Sequence, residues 1–213
     1  STRKESSAAS DVYKRQGGMP MKKISLLLLL VISFSFVLSG CIVIDNDSDN
    51  NYERNEFKSK ETISKIVVSD ESTDVLFQIS DSEEMSVKYS DSSKKQVYDI
   101  SVSNGILEIE KTKSTVGVDD TSLVISLPDK EYEEISVNTT NGDIIFENVS
   151  SMVYRCDTEN GDIKGTILGS MADYSCTVSV KNGDSTIDNN DINSTKTLEF
   201  NVKNGDVKVE FAQ

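Results

Sequence analysis

The 213-residue chain has no histidine, no tryptophan, two prolines and three cysteines. Without histidine there is no Ser-His-Asp triad, no imidazole general base and no histidine-held metal. Without tryptophan the best stacking platform for a sugar face is missing. Positive charge is scarce, with 22 Lys/Arg against 36 Asp/Glu for a net charge of −14. A nucleic-acid binder needs a basic face, so that class is excluded. After residue 41 no stretch sustains a 3.6-residue apolar period over the length of a helix. The body is therefore expected to be all-β.

Charge is unevenly spread. Residues 1–40 carry six basic residues (Arg3, Lys4, Lys14, Arg15, Lys22, Lys23) and two acids, Glu5 and Asp11. The remainder holds 16 basic and 34 acidic residues, a net of −18. Residues 21–40 read as an export signal: Met21-Lys22-Lys23 is a positive start and Ile24–Leu38 an apolar run. The run is short for a membrane span and is followed by acids rather than a basic stop signal. Leu38-Ser39-Gly40-Cys41 resembles the lipobox of bacterial lipoproteins. The resemblance implies that Cys41 takes a lipid thioether and becomes the mature N-terminus, anchored to the membrane by its acyl chains. The alternative is an ordinary secretory signal. Residues 1–20 are polar and without period, and read as non-native upstream sequence.

Residues 41–60 read as an acidic, lipid-tethered linker. Asp45, Asp47, Asp49 and Glu56 fall at positions 1, 3, 5 and 12 of a calcium-loop template, but Asn50 stands where the template wants Gly. The linker reading is preferred, and no metal site is assigned.

Residues 61–213 are a strand array with a repeat. Short period-2 bursts such as Asp74–Ile79, Ile106–Glu110 and Ser122–Leu127 are bounded by Asp, Ser, Asn and Gly. Asn-Gly-Asp then recurs at Asn141-Gly142-Asp143, Asn160-Gly161-Asp162, Asn182-Gly183-Asp184 and Asn204-Gly205-Asp206, with spacings of 19, 22 and 22. Residues 6, 4 and 2 before each Asn agree in phase: Ile135, Val137, Thr139; Tyr154, Cys156, Thr158; Cys176, Val178, Val180; Leu198, Phe200, Val202. Each unit is thus strand, corner, strand with one face inward. Asn and Gly tolerate positive φ, and Asp can cap nearby N–H groups. The spacing points to a parallel β-solenoid with coils of 19–22 residues. The alternative is an antiparallel sandwich or meander with a hairpin at each Asn-Gly.

Leu123–Pro128 followed by Ile135–Ile144, with further copies at Val178–Asp184 and Val202–Val207, resembles the bacterial "putative adhesin" family, a domain of unknown function. The resemblance implies a β-helix-like surface domain and brings no catalytic residues. The third copy departs, with Ser185 where the family has Ile or Val, and its coil is expected to be looser. Asp143, Asp162, Asp184 and Asp206 are expected to cap their own turns; a calcium ladder or paired-carboxylate glycan chemistry are the alternatives. Cys156 and Cys176 both face inward. A sequential stack puts Cys156 opposite Val178 and holds the two Cα atoms ~8 Å apart, so two buried thiols are expected.

The functional expectation is a cell-surface lipoprotein with a non-catalytic domain, adhesin-like or binding an envelope protein or glycan. No cofactor is expected. The alternatives are an accessory lipoprotein of envelope stress signalling and a glycan-active enzyme.

Overall fold

The computed structural model describes residues 52–92, 97–112 and 122–213. The lipobox Leu38-Ser39-Gly40-Cys41 and the acids Asp45, Asp47 and Asp49 lie outside them. Thirteen strands follow one another: β1 (Tyr52–Ser59), β2 (Lys65–Asp70), β3 (Asp74–Ser80), β4 (Met85–Ser92), β5 (Tyr98–Ser103), β6 (Ile106–Lys111), β7 (Ser122–Pro128), β8 (Glu131–Asn141), β9 (Ile144–Asn160), β10 (Ile163–Leu168), β11 (Tyr174–Asn182), β12 (Lys196–Asn204) and β13 (Val207–Ala212). A short 3₁₀ turn, Met171–Asp173, precedes β11. The described fold is all-β, a mixed sheet. Strand structure begins earlier than the sequence suggests, because β1 lies inside the stretch read as linker. It pairs antiparallel with β4, and Glu56 lies on it, 2.9 Å from Lys58.

The strands form two ladders joined by β9. The front ladder runs β5-β6-β2-β8-β9-β12-β11, parallel except for β5–β6. The back ladder runs β1-β4-β7-β3-β9-β10-β13, parallel from β7 onward. β9 changes ladder at Asn148, which sits at φ 57° and is skipped where Thr166 pairs with Glu147 and Ile167 with Val149. Such a bulge re-aims a strand without ending it. The Asn-Gly-Asp units at 141–143, 160–162 and 204–206 each link a front strand to a back strand. Among the Asn-Gly pairs, only Asn104-Gly105 closes an antiparallel hairpin, with φ 53° and 77°.

The stacking order is not the chain order. β12, from the fourth repeat, inserts between β9 of the second and β11 of the third. Cys156 therefore faces Phe200, and Phe200 faces Val178, which corrects the sequential register. Both thiols are free and buried, and a whole strand separates them. Burial pushes both thiols above their ordinary range.

Inward residues stack in rows one strand apart. One row is Leu107, Ile66, Ile135, Tyr154, Leu198 and Cys176. Aromatic rings bridge the ladders: Phe146 stacks on Phe77 at 5.4 Å and on Phe200 at 6.5 Å, and meets Tyr154 edge-on at 5.3 Å. Val178 and Val180 are only half-buried, because β11 is the last strand of its ladder. After its corner the third repeat makes a single bridge, Ser185 to Val207, instead of a back strand. Its loop turns back on β11: Asn190 exchanges backbone bonds with Cys176, and the Asn189 side chain bonds the Val178 backbone N–H and carbonyl. Asparagine side chains thus blunt a sheet edge that would otherwise stay open.

The Thr139 hydroxyl is the one buried side-chain polar atom without a partner among the described residues. An unpaired buried hydroxyl costs more than the methyl that would replace it. Thr139→Val is therefore expected to stabilise the fold by about 1 kcal/mol in urea titration.

Candidate functional site

The four Asn-Gly-Asp corners stack into one edge of the molecule, in the order of the strands that carry them. Three ladders run along it. In the first, asparagine side chains bond in series: Asn160 Nδ2 donates to Asn141 Oδ1 (2.9 Å), Asn204 to Asn160 (2.8 Å) and Asn182 to Asn204 (2.7 Å). In the second, the N–H groups of Gly142, Gly161 and Gly205 each donate at 3.0 Å to the carbonyl of the next coil's asparagine. In the third, the backbone N–H of Asp143, Asp162, Asp206 and Asp184 donates at 2.8 Å to Oδ1 of Asp74, Asp143, Asp162 and Asp206 in turn. Asp143, Asp162 and Asp206 thus cap the neighbouring corner rather than their own turn, which corrects the local reading. The coil of β2 and β3, which lacks the tripeptide, joins through Asp74 and the Glu71 carbonyl.

Glycine is required because the coils touch there. At Gly205, φ 143°, a Cβ would overlap the Gly161 carbonyl, lying 2.7 Å from its carbon and 3.0 Å from Asp162 Oδ1. No side chain fits between two such backbones.

Two lysines offset part of the aspartate charge. Lys164 pairs with Asp143, and Lys208 lies 2.5 Å from Asp206. Burial pushes the Asp143 carboxyl up, but the Asp162 N–H and the Lys164 ammonium hold it below its ordinary value. Lys208 and the Asp184 N–H hold Asp206 low, and both lysines are raised in return. Among the described residues no cluster of His, Cys, Asp and Glu has the geometry to hold a metal. The carboxylates of Asp143, Asp162 and Asp206 are engaged by backbone N–H groups, two of them also by lysine, so the ladder reads as structural.

The pH dependence follows. Asp143 and Asp206 titrate lower folded than unfolded, so their contribution is complete above about pH 4 and is lost as pH falls through their folded values. Lys164, Lys208, the two thiols and the buried Tyr132, Tyr154 and Tyr174 titrate higher folded. Their contribution is complete below their unfolded values and is lost as pH rises through the folded ones. With no histidine to titrate between these limits, the urea midpoint should stay flat from about pH 5 to 8 and fall on either side. A sharp maximum near neutrality would contradict this.

Beside the corners, the outer surface of the front ladder holds an open groove of about 420 Å³. Its floor is a row across four strands, Asn138, Asp157, Asn201 and Ser179, set by register. Asn201 Nδ2 donates to Asp157 Oδ1 at 2.8 Å. Glu159, Lys181 and Lys203 stand above this floor, Lys203 reaching Glu159 at 3.1 Å. Farther down the face, Arg155 bridges Glu134 and Glu199. Sequence reading missed the groove. Its residues looked like ordinary outward strand positions, and the strand order that juxtaposes Asp157 with Asn201 is not in the repeat.

The model of the Toastrack DUF4097 family matches residues 63–213. The chain belongs to this family. Among solved structures, the Toastrack chain is similar to a putative cell adhesion protein from Clostridium sporogenes (13% identity, TM-score 0.49, covering 75% of this chain and 100% of that one). It is also similar to a putative adhesin from Bacteroides fragilis (10%, TM-score 0.40, 74% and 97%) and one from Parabacteroides distasonis (13%, TM-score 0.40, 76% and 71%). No curated protein matches it. The matched span begins at Ile63, just before β2, and includes all four corners.

Proposed function

We propose that this Toastrack chain is a non-catalytic, adhesin-like binding module of the bacterial cell surface, lipid-anchored through Cys41, that holds a polar envelope ligand in the front groove. We further read its body as a β-solenoid whose coils stack out of chain order, which the parallel ladders and shared corners support. The observation that carries the function is the groove itself. Amide, hydroxyl, carboxylate and ammonium groups sit side by side on four hydrogen-bonded strands, spaced by the strand separation. Such groups suit a polyhydroxylated glycan strand, and the rigid floor lowers the cost of binding it.

The test is capture of envelope glycans and envelope proteins by the full chain. Asp157→Ala with Lys203→Ala should weaken glycan capture by about tenfold or more. Glu108→Ala, on β6 of the same ladder and away from the groove, should leave it unchanged. Capture indifferent to the groove pair, or no glycan capture, would overturn the binding reading. Cys41→Ala should release the chain from membranes, and continued retention would overturn the anchor.

A further inference from the structure

The four corners share one sequence but not one environment. Asn141, Asn160 and Asn204 each have their Oδ1 bonded by the next coil's asparagine, and the glycine that follows each of them donates its N–H to the next coil. Asn182 closes the series. Its Nδ2 donates to Asn204 and its carbonyl accepts from Gly205 N–H, but its Oδ1 accepts no bond and Gly183 N–H has no partner among the described residues. All four asparagines are exposed, so exposure does not separate them.

We infer that Asn182-Gly183 is a site of spontaneous backbone modification, and that the stacked corners protect the other three. The chemistry needs only water. The Gly183 nitrogen gives up its proton and attacks Asn182 Cγ. A N–Cγ bond forms, the Cγ–Nδ2 bond breaks, and the amide group takes up a proton and leaves as ammonia. Water then opens the cyclic imide at either carbonyl, giving aspartate or isoaspartate. At the three interior corners the attacking nitrogen must first surrender its hydrogen bond and the amide must leave a bonded row. At Asn182 the attacking Gly183 nitrogen is not so held among the described residues, and the amide keeps only its donation to Asn204, with no bond accepted at Oδ1. The product places a new carboxylate next to Lys181, on the rim of the groove. Isoaspartate also lengthens the backbone at the carbonyl that accepts Gly205 N–H. The last coil would then loosen with age. The inference stands independently of what the groove binds.

The test is peptide mapping by mass spectrometry of the folded full chain, aged in mildly alkaline buffer and sampled over time. A parallel sample is aged in denaturant. Conversion at Asn182 should run about tenfold or more faster than at Asn141, Asn160 and Asn204 when folded, and the four should converge when unfolded. Equal rates in the folded chain, a faster interior corner, or no folded-state conversion at Asn182 while the denatured chain converts, would each overturn it.

Discussion

Gly205→Ala is expected to destabilise the fold by about 3 kcal/mol or more, summing backbone strain at a φ of 143° and the overlap of its Cβ with the Gly161 carbonyl. The overlap cannot be relieved by a side-chain rotation, because the obstruction is the Gly161 backbone, in the corner that joins β9 to β10. Relief means parting β9 from β12, which breaks the asparagine, glycine and aspartate ladders together. Gly169→Ala is the control. It carries a similar strain, φ 126°, but its Cβ would meet only the Tyr174 ring at 3.7 and 3.9 Å. It should cost about 1–2 kcal/mol. Urea titration of both variants checks the comparison. Equal costs would show that positive φ, not coil contact, explains the glycine.

Lys111→Met is expected to cost about 3–5 kcal/mol, because it leaves a buried carboxylate unpaired. The Asp70 and Lys111 side chains are 0% and 1% exposed and lie 3.5 Å apart. The Lys111 ammonium also donates to Ser72 Oγ (3.0 Å) and Thr73 Oγ1 (2.8 Å), and Tyr98 donates to Asp70 Oδ2 at 2.6 Å. This cluster sits at the corner between β2 and β3, where Asn-Gly-Asp is absent. An ion pair with hydroxyl partners serves there in place of the asparagine row. Asp70→Asn combined with Lys111→Met removes both charges and should recover a large part of the loss. A single variant that unfolds at the normal urea concentration would show the pair to be dispensable.

The repeat was legible because it is conformational. Ile135, Val137, Leu198 and Phe200 are buried where the period-2 phase puts them, and Tyr154 and Tyr174 are core rings. The weak third repeat was legible in Ser185, which forms a bridge in place of a strand. The neighbour of each coil was not legible. A tripeptide says that a corner can stack, and four identical corners do not say which stacks on which. That ambiguity misplaced the partner of Cys156 and assigned each aspartate to its own turn. The Lys111–Asp70 pair was hidden for a different reason: its partners are 41 residues apart and carry no periodic signal. β1 was hidden in the acidic stretch, since Tyr52–Ser59 is mostly polar, with Phe57 packing against the core.

The insertion of β12 between β9 and β11 is what creates the corner ladders, the groove floor and the exposed end at Asn182. Oxidative cross-linking of paired cysteines tests it most directly. Ser179 and Asn201 are register partners on adjacent strands, as are Asn201 and Asp157, whereas Ser179 and Asp157 are two strands apart. Adjacent strands stand ~5 Å apart and second neighbours ~10 Å, and only the former lies within disulfide reach. Asn201→Cys with Asp157→Cys should cross-link on mild oxidation, and Ser179→Cys with Asp157→Cys should not. Cross-linking of the second pair and not the first would place the coils in chain order and contradict the account.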